Sequence, residues 1–510
     1  MSKDFQQSIL EKVLVLDGGM GTMIQRLDLT ERDFRSERFR DWNCDLRGNN
    51  DILSLTSPDA IAGIHREYIL AGADIISTNS FNANAVSQSD YGLEAYVGEI
   101  NRGAAAVARK VADEMSALLG RRIWVAGSVG PTNRSASMSP RVEDPAMRNI
   151  TFDDLRLAYR EQIAALVDGG ADLVLAETVF DTLNLKSALM AARDVSRSIG
   201  RQIPVMVSVT VSDRSGRILS GQSLEALLVS IEGFENVVSL GLNCSMGARD
   251  MGPYLETLHS VSPFPVSCHP NAGLPDALGQ YRETAAEFAE AVEPYLSRGM
   301  VNVIGGCCGT TPEHIRLVAE LAHGAAPRKP LARSGVLRLS GLEVTSVTPE
   351  NNFVNIGERC NVAGSRKFLR LIKEKSYEEA ASIAAAQVEG GAMMVDVNMD
   401  DALLDAPAEM THFLNLIASD PDVARVPVVI DSSDWAVVSA GLRCLQGKGV
   451  VNSISLKEGE AEFLRKAREI KDFGAAMVVM AFDEKGQADT YERKIEICGR
   501  AYRLLTQVVG

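Results

Sequence analysis

The sequence predicts an α/β protein: a (β/α)8 TIM barrel followed by a second, C-terminally truncated TIM-type barrel. The chain has 510 residues, which exceeds one ordinary core and suits two domains of barrel size. Short apolar, β-branched runs alternate with longer helical patterns, as parallel strands alternate with crossover helices. Eight such runs come before a basic, proline-containing segment, and five come after it.

The eight runs of the first part each end in glycine, asparagine, aspartate, serine or cysteine, and a helical pattern follows. Eight units in about 325 residues is the number that closes a barrel. After the last run, Thr311 can cap a helix, and Pro312 and Glu313 suit its first turn, so we predict a helix there. The predicted strand regions are residues 13–22, 73–81, 123–132, 171–181, 204–211, 237–245, 264–273 and 301–311.

The segment GAAPRKPLARSG at residues 324–335 is rich in proline, small and basic residues, which predicts an exposed connector. We therefore predict a first domain over residues 1–325, a linker over 326–340 and a partial barrel over 341–510. The five strand regions of the second part are residues 351–361, 392–399, 426–433, 450–456 and 477–483. Five strands leave a barrel open with exposed apolar edges, so we expect the sequence to be a piece of a longer protein.

Composition excludes several classes of protein. Hydrophobic residues make up 46% and charged residues 23%, near the averages for globular chains, so disorder and coiled coil are disfavoured. A formal net charge of −15 opposes binding to nucleic acid or to anionic membranes. The start lacks the pattern of a secretory signal, and no apolar run approaches the ~20 residues of a membrane span. We expect a cytoplasmic protein with no nucleic-acid or membrane partner.

Three of the eight cysteines follow predicted strands. Cys244 follows the sixth strand, and Cys307 and Cys308 follow the eighth, so all three are expected at the carboxyl-terminal rim of the barrel. Adjacent cysteines rarely form a disulfide, but three thiolates bind zinc and leave a fourth position open, as in catalytic sites. Free cysteines are more often buried small apolar residues, and we interpret the other five in this way: Cys44, Cys268, Cys360, Cys444 and Cys498.

Several motifs resemble those of known families. LDGGMGT at residues 16–22, LNCS at 242–245 and GGCCGTTPEH at 305–314 resemble the zinc-dependent homocysteine S-methyltransferases over the whole first barrel. FVNIGERCNVAGSRKF at 353–368, VDVNMDD at 395–401 and VIDSS at 429–433 resemble the pterin-binding barrel of the cobalamin-dependent methionine synthases. Both sets in this order resemble only that second family.

The resemblance implies a methyltransferase that moves a methyl group from 5-methyltetrahydrofolate through cobalamin to zinc-bound homocysteine, which gives methionine. Zinc and cobalamin are the implied cofactors, and the implied partners are homocysteine, methyltetrahydrofolate and a cobalamin-binding module that we expect beyond this sequence. The family residues that assist departure of the methyl group from the folate nitrogen belong to later strands, so we do not expect full turnover by this chain alone.

A free thiol is largely protonated at neutral pH, and coordination to zinc would keep homocysteine as a thiolate. Asn271, at the carboxyl-terminal end of the seventh strand, is our hypothesis for the fourth zinc ligand without substrate; a simple turn asparagine is an equal alternative. Glu177 and Asp17 end strands four and one and are candidates for the substrate ammonium, although Glu177 can also be a solvated strand-end carboxylate. The backbone of Gly18, Gly19, Met20 and Gly21 can offer N–H groups to the substrate carboxylate.

Acidic and amide side chains also stand at successive strand ends in the second part. Carboxylates and carboxamides match the donor edge of a pterin ring. The candidates from this pattern are Asp396, Asn398, Asp431 and Asn452. The resemblance adds Glu358, Asn361, Gly364, Ser365 and Arg366.

Two alternatives stay open from the sequence. One is a stand-alone thiol methyltransferase that takes its methyl group directly from a sulfonium or betaine donor, with a vestigial second part. The other is a non-catalytic substrate-binding fragment whose second part is unfolded or serves assembly.

Overall fold

A computed structural model describes residues 4–510, and its first part is a barrel of eight parallel strands. The sheet order is β1-β8-β7-β6-β5-β4-β3-β2, and a bridge between Leu16 and Ile75 joins β1 to β2 and completes the ring. The predicted barrel is therefore confirmed. The strands are β1 (Leu14–Val15), β2 (Ile75–Ser77), β3 (Trp124–Val129), β4 (Leu173–Val179), β5 (Val205–Val209), β6 (Val237–Gly247), β7 (Ser267–Asn271) and β8 (Val303–Ile304).

Helices surround this barrel, and several begin with the caps that the sequence offers. Thr151 caps the helix that begins at Phe152 by accepting from Asp154 N–H at 3.1 Å, and Thr311 caps the helix that begins at Pro312, as predicted. The helices are α1 (Phe5–Glu11), α2 (Met20–Gln25), α3 (Glu31–Arg35), α4 (Leu53–Thr56), α5 (Pro58–Leu70), α6 (Ala85–Gln88), α7 (Val97–Leu119), α8 (Phe152–Asp168), α9 (Thr182–Ile199), α10 (Leu224–Ile231), α11 (Ala248–Val261), α12 (Ala285–Ser297) and α13 (Pro312–Ala322).

The amino-terminal end of the barrel is filled with apolar side chains. Inward-facing residues such as Leu16 and Met206 form one buried cluster with Phe5 and Ile9 of α1. The rings of Phe5 and Trp124 meet edge to face with centroids 5.4 Å apart. Because this end is packed, polar groups for binding and catalysis are left to the carboxyl-terminal end.

The connector between the two parts is mostly exposed, but one of its basic side chains is buried against the first barrel. Arg328 is buried and donates to the carbonyl oxygens of His259, Ser262 and Phe264. An antiparallel hairpin follows, formed by β9 (Leu337–Ser340) and β10 (Val344–Val347). Neither the burial of Arg328 nor the hairpin was expected from composition.

The second part contains a five-stranded parallel sheet whose strands pair in chain order. Its outer strands do not pair with each other within residues 4–510, so this sheet is an incomplete TIM-type barrel, as predicted. The strands are β11 (Ile356–Asn361), β12 (Met394–Asn398), β13 (Val428–Asp431), β14 (Val450–Ile454) and β15 (Ala476–Val479), followed by the hairpin of β16 (Phe482–Asp483) and β17 (Gly486–Gln487). The helices are α14 (Arg366–Lys373), α15 (Tyr377–Glu389), α16 (Ala406–Ile417), α17 (Pro421–Ala424), α18 (Trp435–Leu442), α19 (Glu460–Asp472) and α20 (Tyr491–Leu504).

The two parts pack directly on each other. The buried Lys186 of α9 donates from Nζ to the carbonyl oxygens of Leu445 at 3.2 Å and Gly447 at 2.6 Å. Phe152 and Phe473 bring their ring centroids to 5.2 Å. Among the described residues, no helix has the length and apolar character that a membrane crossing requires.

Candidate metal and substrate site

Three cysteine sulfurs meet at the carboxyl-terminal end of the first barrel. The Sγ atoms of Cys244, Cys307 and Cys308 lie within 4.8 Å of one another, and those of Cys244 and Cys308 are 4.0 Å apart. Sulfurs that share one tetrahedral zinc ion at Zn–S distances of ~2.3 Å lie about 3.8 Å apart. The spacing of these three atoms, here called the sulfur cluster, therefore fits such a cation.

An irregularity in β6 turns Cys244 toward the cluster. The pairing of β6 with β7 is regular at Asn243 and resumes at Gly247. Between these points Cys244 and Ser245 adopt left-handed φ values of 60° and 57°, which residues other than glycine seldom do. Bulges of this kind re-aim side chains near functional sites, and the strain persists only where the surroundings hold it.

The loop that carries the other two cysteines is held between neighbouring strand ends. Cys307 N–H donates to the carbonyl oxygen of Pro270 at 2.8 Å, and Gly306 N–H donates to that of Asp17 at 3.2 Å. A Cβ atom at Gly306 would lie 2.4 Å from Thr310 Oγ1, so the close approach requires glycine there. The sulfurs of Cys307 and Cys308 thus have a fixed place above β8.

The ionisation of the three thiols is linked. Hydrogen bonds with the other two sulfurs hold the pKa of Cys244 well below its ordinary value. The same contact with Cys244 raises the pKa values of Cys307 and Cys308. Without a cation, ionisation of one of the three thiols is therefore favoured. A bound divalent cation would allow all three to ionise.

Asn271 lies at the end of β7 beside the sulfur cluster. Its side chain is buried, and its Oδ1 accepts a hydrogen bond from Cys308 N–H at 3.1 Å. The carboxamide of Asn271 also forms a hydrogen bond that lowers the pKa of Cys244. Asn271 therefore contacts two cysteines of the cluster, and its role as a fourth ligand stays a prediction.

Two carboxyl groups lie near the cluster and are here called the acid pair: Asp17 is buried and Glu177 is half-buried. Asp17 accepts hydrogen bonds from Ser77 N–H at 2.8 Å and Ser77 Oγ–H at 2.9 Å. Glu177 accepts from Ser128 Oγ–H at 2.5 Å. Burial raises the pKa of Asp17 to about 8 and that of Glu177 to about 7. Neither carboxyl has a salt-bridge partner within residues 4–510, so a cationic group would stabilise their charged forms.

The glycine turn after β1 is packed tightly against the cysteine loop. A Cβ atom at Gly18 would lie 2.7 Å from Thr310 Oγ1, and one at Gly19 would lie 2.7 Å from the carbonyl oxygen of Cys307. Gly19 N–H already donates to Thr310 Oγ1 at 3.1 Å. The structure thus gives Gly18 and Gly19 a packing role, and a substrate-binding role for the turn that includes Met20 and Gly21 stays a prediction.

Sequence reasoning missed two side chains at this site. Asn243, buried within β6 just before its irregular segment, donates to Thr178 Oγ1 at 2.9 Å, and its Nδ2 lies 3.9 Å from Cys307 Sγ. The ring of Tyr281 covers Gly309, where a Cβ atom would lie 2.4 Å from Tyr281 Cγ. Asn243 precedes Cys244 in the chain, and this adjacency was the only signal for it. No local pattern marked Tyr281.

The remaining cysteines follow the expectation only in part. Cys268, Cys360 and Cys444 are buried, but Cys44 is half-buried and Cys498 is exposed. Cys498 faces outward because α20 packs through Ile497 and Ala501. The expectation of burial was therefore wrong for Cys498.

In the second sheet, acidic side chains gather at the strand ends. Glu358, Asp396 and Asp431 are here called the acid cluster, and the charges of Glu358 and Asp431 act on Asp396. Burial, then Asp431 and Glu358, raise the pKa of Asp396 to about 7. Burial also raises the pKa of Asp431, which accepts from Asn398 Nδ2 at 3.0 Å. Asp396 Oδ1 has no hydrogen-bond partner among the described residues, so this end of the sheet fits a ligand rich in N–H donors.

The other candidates of the second part lie around the acid cluster or on its rim. Asn452 is on β14 in register with Asp431. Asn361 Oδ1 accepts from Gly364 N–H at 2.8 Å and shapes the loop before α14. Ser365 caps α14 by accepting from Phe368 N–H, which uses its hydroxyl within the chain, and Arg366 is exposed. The folate-binding roles of these residues stay predictions.

Comparisons with known proteins agree with this arrangement. Residues 14–322 match the family model described as homocysteine S-methyltransferase, and residues 357–510 match that described as pterin binding enzyme. Similar solved structures include the homocysteine methyltransferase MmuM from Escherichia coli in its metallated form, with 24% identity, TM-score 0.47, and coverage of 61% of this chain and 96% of that chain.

The oxidized form of the same Escherichia coli protein gives 24% identity and a TM-score of 0.48, and the alignment covers 60% of this chain and 95% of that one. The strand order described above, rather than these modest scores, carries the fold assignment. Since the first family match spans more than half of the 510 residues, the chain is a methyltransferase that belongs to the homocysteine S-methyltransferase family, and its second part matches the pterin binding enzyme family.

Proposed function

We propose that the first barrel binds zinc through Cys244, Cys307 and Cys308 and methylates homocysteine to methionine. The convergence of the three sulfurs within 4.8 Å carries this proposal. We further propose that the methyl group originates from 5-methyltetrahydrofolate on the second sheet and is carried between the sites by cobalamin bound to a separate module. The acid cluster supports the folate part, since its unpartnered carboxylate oxygen suits the N–H edge of a pterin.

Zinc held by three thiolates would keep the sulfur of homocysteine deprotonated at neutral pH and leave it nucleophilic. The chain's own residues then orient the rest of the substrate. Asp17 and Glu177 receive the ammonium group, and the positive charge of that group stabilises the ionised forms of both carboxyls against their burial. Holding the thiol and the ammonium at two fixed points aligns the sulfur for attack on the incoming methyl carbon.

Metal analysis and methyl transfer test this function together. The wild-type chain is expected to hold about one zinc per chain, because three thiolates form one site, and to methylate homocysteine with supplied methylcobalamin. Cys308→Ser is expected to lose both properties. Cys498→Ser is the matched control, since Cys498 is exposed and lies on α20 of the second part, and it is expected to keep both.

Methylation by a zinc-free wild-type chain would contradict the proposal. Methionine formed from a sulfonium or betaine donor without cobalamin would instead identify a direct transfer and remove the folate part of the proposal.

A further inference from the structure

We propose that Asn243 is a positioning residue that fixes the span between the sulfur cluster and Glu177 and thereby sets the length of amino-acid thiol that the barrel accepts. The inference rests on the proposed function, because it concerns how the two ends of homocysteine are held. It adds a residue that neither the cysteine pattern nor the acid pair includes.

The Asn243 side chain is fully buried and uses both ends of its carboxamide. Its Oδ1 accepts from Thr178 N–H at 3.0 Å and from Ser208 Oγ–H at 2.8 Å. Its Nδ2 donates to Thr178 Oγ1 at 2.9 Å. Two hydrogen bonds to one threonine fix the position of β4 relative to β6 at this level of the barrel.

Each of the two residues that this contact joins is next to a residue of the site in the chain. Thr178 follows Glu177 in the chain, and Asn243 precedes Cys244. The Nδ2 atom of Asn243 also lies 3.9 Å from the sulfur of Cys307. One carboxamide therefore touches the segment that carries an acid-pair carboxylate and a sulfur of the cluster.

The backbone gives an independent sign that this contact holds a strained arrangement. Thr178 and Cys244 have left-handed φ values of 57° and 60°, and both strands lose regular pairing there, β4 between Ala176 and Val179 and β6 after Asn243. Non-glycine residues keep such conformations only where neighbours enforce them. The hydrogen bonds of Asn243 join these two irregular segments directly.

The chemical consequence is selection by length. A zinc-bound thiol at one end and an ammonium on Glu177 at the other fit only one number of methylene groups between them. One methylene in a fixed site changes discrimination by roughly 10–200-fold. If Asn243 sets the span, its loss relaxes this selection while zinc stays bound.

Ligand binding to the zinc-loaded full chain tests the inference by calorimetry. The probes are L-homocysteine, L-cysteine, which is one methylene shorter, and 4-mercaptobutanoate, which has the thiol but no ammonium. In Asn243→Ala we expect the Kd of homocysteine to rise about tenfold, because the buried hydrogen bonds that hold the Glu177 segment are lost. The Kd of 4-mercaptobutanoate changes by less than about twofold, because it does not use Glu177, and the preference for homocysteine over cysteine falls. Zinc content is expected to stay at the wild-type level.

A second variant and a control keep the test decisive if Asn243→Ala folds poorly. Thr178→Val removes the acceptor for Asn243 Nδ2 without altering any cysteine, and we expect the same ligand pattern. Asn236→Ala is the matched control: Asn236 is also buried, lies just before β6, and donates to the carbonyl oxygen of Leu189 at 3.1 Å. It is expected to leave all three Kd values unchanged.

The outcomes separate this inference from the proposed function. Suppose that the wild-type chain binds homocysteine. If both variants then reduce the affinities for homocysteine and for 4-mercaptobutanoate by the same factor, or reduce neither affinity, the proposed role of Asn243 is wrong. If the wild-type chain binds neither zinc nor homocysteine, the proposed function itself fails.

Discussion

The first barrel and the second sheet place polar side chains at the same topological position, the carboxyl-terminal ends of parallel strands, but with different donor atoms. The first barrel gathers three sulfurs within 4.8 Å. The second sheet gathers carboxyl groups around Asp396 and Asp431. The strand alternation determines where a site lies, whereas the donor atoms determine whether it suits a soft cation or an N–H-rich ring.

The two parts also differ in closure. In the first barrel every strand has neighbours on both sides, since the bridge from Leu16 to Ile75 completes the ring. In the second sheet β11 and β15 each pair on one side only within the described residues. Val478 on β15 is 43% exposed, whereas β5 is buried throughout. Closure therefore predicts a difference in local stability between otherwise similar strands.

Hydrogen exchange tests this difference, and it is the largest effect that we expect. The amides of β5 are expected to exchange about 10³-fold more slowly than those of β15, because an unpaired edge opens by local fluctuation. The full chain is labelled for timed intervals, and mass spectrometry of its peptides then measures the exchange of both strands in one sample. Equal protection of β15 would show that its edge is covered in solution and would remove closure as the distinction.

The sequence was sufficient for the number of parallel strands in each part and for the convergence of the cysteines. The strand number follows from the order of hydrophobic patterns, because apolar runs of strand length alternate with helical patterns. The convergence follows because residues after parallel strands lie on the same rim of a barrel. The sequence was not sufficient for features that depend on distant contacts. Arg328 looked like part of an exposed basic connector, but three carbonyl oxygens from the end of α11 and the segment after it bind its guanidinium.

Local strain was also invisible in the sequence. Thr178 and Cys244 have ordinary strand neighbours, and nothing in their residue types predicts a positive φ. Asn243 resembled any strand-end asparagine, because its importance comes from Thr178, 65 positions earlier in the chain. Side chains that join two irregular strands can be found only when both strands are in place.

The contact between the two parts gives a second, smaller effect. Lys186 is buried and donates to the carbonyl oxygens of Leu445 and Gly447. Lys186→Met keeps a long unbranched side chain, one atom shorter than lysine, and removes the donor, so the two carbonyl groups lose a partner. We expect the free energy of unfolding to fall by about 1–3 kcal/mol.

Denaturant unfolding followed by tryptophan fluorescence measures this change, and Trp435 of α18 reports on the second part. Arg102→Ala is the control, because the ion pair of Arg102 with Asp168 is exposed and contributes at most about 1 kcal/mol. If Lys186→Met were as stable as Arg102→Ala, the inter-domain hydrogen bonds would not contribute to stability.

The smallest effect that we expect is the pH dependence of stability that Asp396 causes in the second sheet. Burial raises the pKa of Asp396 from 3.8 to about 7. A carboxyl whose pKa is raised on folding binds its proton more tightly in the folded state, so it favours folding at low pH. This contribution is lost as the pH rises through the folded-state value of about 7. Asp396→Asn imitates the protonated form at every pH.

Asp396→Asn is therefore expected to match the wild type in stability near pH 4 and to exceed it near pH 8, by about 1 kcal/mol after allowance for partial solvent screening. Thermal unfolding at the two pH values measures the difference. The same variant is expected to bind a pterin more weakly, because an amide offers one acceptor oxygen where the carboxylate offers two. A variant that is less stable than wild type at pH 8 would show that Asp396 is held ionised by groups of the chain itself. The unpartnered Oδ1 argues against that outcome, since it leaves the carboxylate without a stabilising donor until a ligand supplies one.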